Sequence, residues 1–466
     1  DMARYRSEAL FRTYRGRMRP LSHYTLGWLP RLTRVTARVP GLAAVANAIM
    51  SVAPLRSLAF RIIGLDPRRG MPALQSGTVT AWARRRNLLA GSVPAGDAAS
   101  SFTATPGTAI SGTAARAAAN SDTAARAAAS SGTAISGTAT PDTAARAAAS
   151  SSAKSPSAAT SAAATDARER GGTPASCDST RERGGTPASS NSTRERGGTP
   201  ASSNSARERE AATASSMSGS PILSGPRDPG GRPYALVWAD SFSQTLDGTG
   251  ARAVVDVLEA NGFAPIVAPD ACCGLTWITT GQLTGAKKHL ASLLGVLAPF
   301  AASGIPIVGV EPSCTAVLRD DLMDLLPEDP RSALVSGATH TLAEVLSAVP
   351  ESSRNLPSLE GVEIVAQPHC HHYSVMGWDT DQALLESLGA RVTRLEGCCG
   401  LAGNFGMEAG HYDLSVAVAS HSLLPSLSAQ PDAVYLADGF SCRTQAAQLA
   451  GRGGVHLATL LAGRSA

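Results

Sequence analysis

The chain has 466 residues, enough for two or three domains, but alanine supplies much of its 43% hydrophobic content and aromatic residues make up only 4%. A net charge of +4 and a low lysine content argue against nucleic acid as the main partner. The sequence has no run of about 18 apolar residues and no signal-peptide layout at its start. We therefore expect a cytoplasmic protein, with peripheral association at the inner face of the cell membrane left open.

Residues 1–75 mix arginine with apolar residues at spacings typical of short helices, punctuated by prolines. The first forty residues carry nine arginines against two acids. This excess favours a solvated helical face over a surface for anionic lipid or an acidic protein. The first residue is Asp rather than Met, which suggests a piece of a longer polypeptide.

Residues 76–230 are dominated by repeats, ten residues long in "SDTAARAAAS" and thirteen in "RERGGTPASSNST". Solenoid repeats are usually about 20 to 50 residues long and carry large apolar positions. These repeats carry almost none, so they cannot offset the entropy of ordering, and we predict a disordered low-complexity insertion. Cys177 lies in one copy, where the sister copies have Ser190 and Ser203, so we do not expect it to be a ligand.

Residues 231–466 alternate apolar runs with helical patterns, which predicts an α/β fold of parallel sheet with covering helices. The segments "YALVWAD", "APIVAP", "IPIVGVEP", "VEIVAQP", "RVTRLE" and "AVYLADG" are typical of strands. The segments "GARAVVDVLEAN", "TGQLTGAKKHLASLLGVLAPFAA", "TDQALLESLG" and "HYDLSVAVASHSLL" are typical of helices. Functional loops are expected at the strand ends.

This zone repeats itself around its cysteines, as a first unit over 231–350 and a second over 351–466. Each unit has a paired-cysteine CCG loop and a single cysteine 41 or 43 residues after the pair. Because the carboxyl ends of parallel strands share one sheet edge, these cysteines are expected to converge. The second unit offers Cys370, Cys398, Cys399 and Cys442. The first offers Cys272, Cys273 and Cys314, and no cysteine where the partner of Cys370 should lie.

Four convergent thiolates suit an iron-sulfur cluster or a zinc ion. Zinc ions are more often bound by CxxC knuckles, and two adjacent cysteines can bind one zinc ion only with strain. A cluster has several irons, so adjacent thiolates can bind different ones. Gly400, directly after the second pair, permits close backbone approach and an amide hydrogen bond to sulfur. The residues alone favour a cluster, and they leave zinc and reactive thiols or a disulfide open.

The paired CCG loop and later single cysteine, present twice, resemble the CCG or cysteine-rich domain family, which includes the CCG-containing subunit of heterodisulfide reductase and the iron-sulfur subunit of glycolate oxidase. The stretches "EPSC", "PHCHH", "GCCGLAGNFGMEAGHYD" and "LADGFSCR" look most similar to the C-terminal iron-sulfur module of fused FAD-linked oxidases, a group that includes D-lactate and D-2-hydroxyglutarate dehydrogenases. Residues 1–75 resemble the helical segment that follows the ferredoxin-like motif there. Heterodisulfide reductase units carry additional cysteines, so its specialised disulfide-cleaving clusters are not expected here.

The resemblance implies duplicated Rossmann-like units and an electron-transfer role in an oxidoreductase of 2-hydroxy acids. Neither an FAD domain nor the ferredoxin cysteine motif occurs in these residues, so FAD and the ferredoxin-like domain would belong to an absent domain or partner. Electrons would pass to a quinone, cytochrome or other acceptor. The implied ligands of a cluster, of 4Fe-4S type, are Cys370, Cys398, Cys399 and Cys442, with Cys272, Cys273 and Cys314 as a second, incomplete set. No catalytic residue is expected, and a zinc-stabilised interaction domain or a thiol-disulfide catalyst are the alternatives.

Overall fold

The structure is a computed structural model that describes residues 2–91 and 220–463. These residues belong to one compact unit. The repeats and Cys177 lie outside the described residues, so the predictions made for them stay predictions.

Seven parallel strands form two sheets in the described part of the chain. The first sheet contains β1 (Tyr234–Trp238), β2 (Ala264–Val267), β3 (Ile307–Gly309) and β4 (Thr339–His340), in the order β2-β1-β3-β4. The second contains β5 (Glu363–Ala366), β6 (Arg391–Arg394) and β7 (Val434–Leu436), in the order β6-β5-β7. In both sheets the strand that comes first in sequence lies between the next two, and all six predicted strands are confirmed. The two-residue β4 was not predicted, because it is too short to show a pattern.

Helices connect and cover the strands, which confirms the α/β prediction. In chain order they are α1 (Met2–Thr13), α2 (Leu21–Gly27), α3 (Leu29–Arg38), α4 (Leu42–Ser51), α5 (Ala53–Ile63), α6 (Val79–Arg85), α7 (Ser241–Thr245), α8 (Thr249–Ala260), α9 (Leu275–Thr279), α10 (Leu283–Ala302), α11 (Pro312–Ala316), α12 (Leu322–Leu325), α13 (Pro330–Ala338), α14 (Leu342–Ser347), α15 (Asp379–Ser387), α16 (Tyr412–Ala419), α17 (Leu423–Ala429), α18 (Phe440–Ala450) and α19 (Leu457–Leu461). The helix predicted over 411–424 is divided into α16 and the start of α17.

The N-terminal region contains the predicted short helices, α1 to α5. Pro30 and Pro54 occupy the first turns of α3 and α5, where a missing N–H is tolerated. Among the described residues no single helix is long and apolar enough to cross a membrane. Helices α4 and α5 meet that test only as a pair, and they are bent by 99° relative to each other.

Residues 76–91, which the sequence analysis assigned to the insertion, carry helix α6 and are partly buried. Val79 and Ala83 are fully buried in a hydrophobic core to which both sheets contribute, and Leu89 bridges to Val267 in parallel. The physical reason is local composition: this stretch has Val, Trp and Leu side chains that the alanine and serine repeats lack. Packing against the sheet therefore continues past residue 75.

Helix α14 begins with a capping box that links it to β4. Thr341 Oγ1 accepts from the Glu344 N–H, and the Glu344 carboxylate accepts from the Thr341 N–H. Burial opposes ionisation of Glu344, but hydrogen bonds from His340, Thr341 and Arg319 outweigh it and lower the pKa to about 2. The box fixes where the chain turns from the edge of the first sheet.

Candidate metal centre

The second set of cysteines lies at the carboxyl ends of three neighbouring strands. Cys370 follows β5, Cys398 and Cys399 follow β6, and Cys442 lies in the first turn of α18 after β7. The parallel pairing of β5 with both β6 and β7 brings these ends to one edge. The structure thus brings together all four residues that the sequence singled out.

The four thiols form a continuous chain of hydrogen-bonding contacts, from Cys370 to Cys398, Cys399 and Cys442. Hydrogen bonds from the Cys370 and Cys399 thiols and from the Gly400 N–H lower the pKa of Cys398 far below its ordinary value, although burial opposes ionisation. The same contacts, together with burial, raise the pKa of Cys370 and Cys399. Cysteine ligands of a metal must be thiolates, so binding of a metal or cluster would release the remaining thiol protons.

Gly400 is where the CCG loop packs against helix α16. Its N–H donates to Cys398 Sγ at 3.3 Å, and its carbonyl accepts from Ser415 Oγ at 2.6 Å. With φ at +91°, a Cβ at this position would lie 2.2 Å from the Ser415 carbonyl oxygen. Glycine is therefore required both by the backbone conformation and by the close approach of the helix.

The first set of cysteines is arranged in the same order around the ends of β1, β2 and β3. Cys272 contacts Cys273, which contacts Cys314, and the Gly274 N–H donates to Cys272 Sγ at 3.4 Å. Ser241, at the start of α7 after β1, makes a side-chain hydrogen bond with Cys272. The Ser241 hydroxyl contacts the first cysteine of its pair, as the Cys370 thiol contacts Cys398 in the second set. All three thiols of the first set are buried.

The loops that carry the two cysteine sets contact each other. Phe242, next to Ser241, stacks on Phe440, two residues before Cys442, with ring centroids 5.8 Å apart. Glu311 Oε2 accepts from the Phe440 N–H at 2.9 Å. Glu311 therefore bonds the first backbone amide of α18, which is a structural role. Its burial, with the charge of a nearby carboxylate, raises its pKa to about 8.

The histidines beside Cys370 have different environments. His369 is buried, accepts from the His371 N–H at Nδ1, and has its pKa lowered to about 3 mainly by burial, so its ring is neutral. His371 stacks edge-on against His369. His372 points away, toward Asp381 at 3.3 Å. His411 stacks on the Phe405 ring at 4.1 Å between centroids, a structural contact.

Two arginines near the cysteines were missed by sequence reasoning, which placed the N-terminal arginines of the first forty residues on a solvated face. Arg34 in α3 forms a bidentate pair with Asp270, two residues before Cys272, and bonds Cys272 as well. Arg69, beyond the first forty residues, is fully buried, and it donates to Gly406 O, Gln445 Oε1 and Ser415 Oγ around the CCG loop. Arginine spacing carries no signal for such pairing, because the partners are more than 200 residues away.

Comparisons with known proteins find relatives for part of this chain. It is 28% identical over 224 residues to D-2-hydroxyglutarate dehydrogenase of Escherichia coli (strain K12), an alignment that covers 47% of this chain and 22% of the relative. It is 27% identical over 173 residues to one subunit of the anaerobic glycerol-3-phosphate dehydrogenase of the same strain, covering 35% of this chain and 42% of the relative. A Pseudomonas putida D-2-hydroxyglutarate dehydrogenase is 26% identical over 219 residues, which make up 46% of this chain and 20% of that protein.

These relatives are dehydrogenases or parts of them. The chain is thus related to part of several oxidoreductases, and it spans about a fifth of the D-2-hydroxyglutarate dehydrogenases and less than half of the glycerol-3-phosphate dehydrogenase polypeptide. No protein-family model matches it.

Proposed function

We propose that this chain is the iron-sulfur electron-transfer module of an FAD-linked 2-hydroxyacid oxidoreductase of D-lactate, glycolate or D-2-hydroxyglutarate type. The ligands would be Cys370, Cys398, Cys399 and Cys442. The observation that carries the proposal is the contact of these four thiols at the ends of three adjacent strands. When bound, a 4Fe-4S cluster would accept single electrons that originate at a flavin and pass them on.

The residues present fit such a group. Adjacent cysteines are poorly placed to share one zinc ion, whereas they can bind different irons of one cluster. Cys370 and Cys398 are half-buried while Cys399 and Cys442 are buried, so the thiol set extends from the core to the surface, where an electron can be exchanged. The Gly400 amide, 3.3 Å from Cys398 Sγ, would stabilise added negative charge on sulfur and raise a reduction potential.

The duplicated-unit interpretation belongs to the same proposal. The shared strand order and the shared sequence of cysteine contacts support two Rossmann-like CCG units over 231–350 and 351–466. In the first unit the Ser241 hydroxyl takes the place of a fourth thiol beside Cys272, Cys273 and Cys314. This set would bind metal less tightly than the second.

The remaining parts of the oxidoreductase are proposed to lie outside the described residues. FAD would be held by an oxidase domain or partner, and a ferredoxin-like domain would connect it to this module. A quinone, cytochrome or other acceptor would receive the electrons. A cytoplasmic location, or a peripheral one at the inner face of the cell membrane, agrees with this role.

The test is a measurement of iron, acid-labile sulfide and zinc in anaerobically prepared protein. We expect iron and sulfide in equal amounts and a brown colour, lost in Cys399→Ser and retained in Cys177→Ser, the matched control within the repeats. Stoichiometric zinc without iron would instead identify a zinc-stabilised domain. Protein that contains neither iron nor zinc when prepared anaerobically, and in which one cysteine is alkylated stoichiometrically, would instead identify a thiol-disulfide catalyst.

A further inference from the structure

A second cluster of potential metal ligands contains no cysteine. Single ligand atoms of His372, Asp381 and Asp438 are all within 4.8 Å of one another. His372 follows β5, Asp438 follows β7, and Asp381 comes from the first turn of α15. The side chains of His372 and Asp381 are only 4% and 3% exposed, so solvent does not compensate their charges.

Two buried polar atoms without hydrogen-bond partners are found on the wall of the same site. His372 Nε2 lies 3.3 Å from Asp381 Oδ2, close enough for an ion pair that raises the pKa of His372 against the effect of burial, but the geometry is not that of an aligned hydrogen bond. Gln367 Oε1 also has no partner, and its residue is 3% exposed. An unsatisfied buried donor or acceptor destabilises a fold, so a polar group or ion bound in this cavity would stabilise it.

The space between these groups suits a single small ion. Two adjoining cavities of about 10 and 20 Å³ share His372, Asp381 and Asp438, and Gln367 lines the first of them. A volume of about 10 to 15 Å³ is enough for one water-sized species. Two atoms that bind one ion at about 2.1 Å lie about 3.0 to 3.4 Å apart, which matches the 3.3 Å between His372 Nε2 and Asp381 Oδ2.

The negative charge of the site also favours binding of a cation. Two carboxylates line the cavities, and among the described residues no lysine or arginine lines either of them. His456 Nδ1 lies 3.6 Å from Asp438 Oδ1, but its ring already caps α19 by accepting from the Ala458 N–H. His372 can supply at most one positive charge, to Asp381, and Asp438 Oδ1 accepts from the Leu457 N–H at 2.6 Å. A divalent ion bound to neutral His372 would neutralise both carboxylates.

We propose that His372, Asp381 and Asp438, with Gln367 Oε1 as a further donor, bind one divalent ion of the manganese-to-zinc series. One imidazole nitrogen with carboxylate and amide oxygens is a donor set for these ions. The ion would also stabilise the thiol site, because Gln367 Nε2 donates to Gly397 O at 3.1 Å, directly before Cys398. This site is separate from the proposed cluster, and it stands whether or not the thiols hold iron.

Manganese(II) is the appropriate probe, because it prefers oxygen and nitrogen ligands to the thiolates elsewhere in the chain. Anaerobic full-length protein is dialysed against EDTA, and any non-iron metal that it retains is measured. Mn²⁺ is then titrated into the protein, and the EPR signal of free Mn²⁺ reports how much remains unbound. We expect retained metal plus bound Mn²⁺ to reach one ion per chain. Asp381→Asn should weaken binding at least about tenfold. The matched control Asp379→Asn, two residues away in α15 with a side chain 93% exposed, should leave it unchanged.

The proposal is wrong if the wild-type protein shows no saturable Mn²⁺ site and retains no metal that Asp381→Asn releases, and His372 and Asp381 then form only an ion pair. It is equally wrong if Asp379→Asn weakens binding as much as Asp381→Asn. Should Asp381→Asn fail to fold, Gln367→Met, which keeps the volume and removes the oxygen, replaces it. Unchanged Mn²⁺ affinity in that variant would show that Gln367 is not a ligand. The number of Mn²⁺ ions bound per wild-type chain would still test the site formed by His372, Asp381 and Asp438.

Discussion

Replacing Gly400 by alanine tests whether close packing of α16 onto the CCG loop shapes the thiol site. The substitution has two separate effects. The first is conformational, because φ at +91° is unfavourable for any residue with a Cβ and costs about 1 to 2 kcal/mol. The second is steric, because the new Cβ would lie 2.2 Å from Ser415 O, 3.0 Å from Gln445 Nε2 and 3.1 Å from Ala419 N.

The steric effect should add to the conformational one. Ser415 O is a backbone atom of a helix and cannot rotate away, so the loop or the helix must move, and overpacking of this kind costs about 1 to 3 kcal/mol. We therefore expect Gly400→Ala to lower the free energy of unfolding by about 2 to 5 kcal/mol. The matched control is Gly410→Ala, since Gly410 has φ at +87° and no atom within 4 Å of a built Cβ. It should lose only the conformational part, about 1 to 2 kcal/mol.

Urea unfolding followed by circular dichroism measures both variants, and iron content after anaerobic reconstitution gives a second readout. Displacing the loop moves the Gly400 N–H away from Cys398 Sγ, so iron retention should fall in Gly400→Ala and persist in Gly410→Ala. Equal destabilisation of the two variants, or normal iron in Gly400→Ala, would refute the argument from close approach.

Three further predictions follow from other contacts. Arg69→Met should lower the free energy of unfolding by about 2 to 4 kcal/mol in urea, because Gly406 O and Gln445 Oε1 lose a buried donor, whereas Arg61→Met at an exposed position of α5 should change little. Glu344→Gln should destabilise by about 1 to 2 kcal/mol at neutral pH. That difference from wild type should shrink as the pH falls from the unfolded pKa, near the ordinary 4.5, through the folded pKa of about 2; urea unfolding at several pH values checks it, and a constant difference would contradict it. Ser241→Cys places a thiol beside Cys272 and should raise the iron bound per reconstituted chain, so unchanged iron would argue against a fourth ligand position there.

The strands and the cysteine spacing were predictable from local patterns. Five short apolar runs bounded by Gly, Pro and Asp predicted β1, β2, β3, β5 and β7, because a buried strand needs only a few consecutive apolar residues. Strand β6 was predicted as well, although its residues are exposed or half-buried. The repeated spacing of the CCG pairs and single cysteines then implied that the thiols follow strand ends. Parallel pairing then brings these thiols together, because it aligns the carboxyl ends of the strands at one edge of the sheet whatever the intervening sequence.

Other features depended on contacts between residues far apart in sequence. Ser241 was passed over because a serine at the start of a helix is ordinary in sequence, and only its contact with Cys272 gives it meaning. Arg69 looked like one more basic residue, but the fold buries it among Gly406, Ser415 and Gln445. Side-chain pairing across hundreds of residues has no local period to detect.

Sequence alone therefore determined the alternating α/β pattern, the two CCG loops and the residues of the thiol sets, because each is written as spacing along the chain. Tertiary structure decided which groups complete those sets and how the loops meet. It also decided that His372, Asp381 and Asp438, from three separate elements, share one buried cavity. The physical reason is that burial and unpaired polar atoms are properties of packing, and packing is settled only when the whole chain has folded.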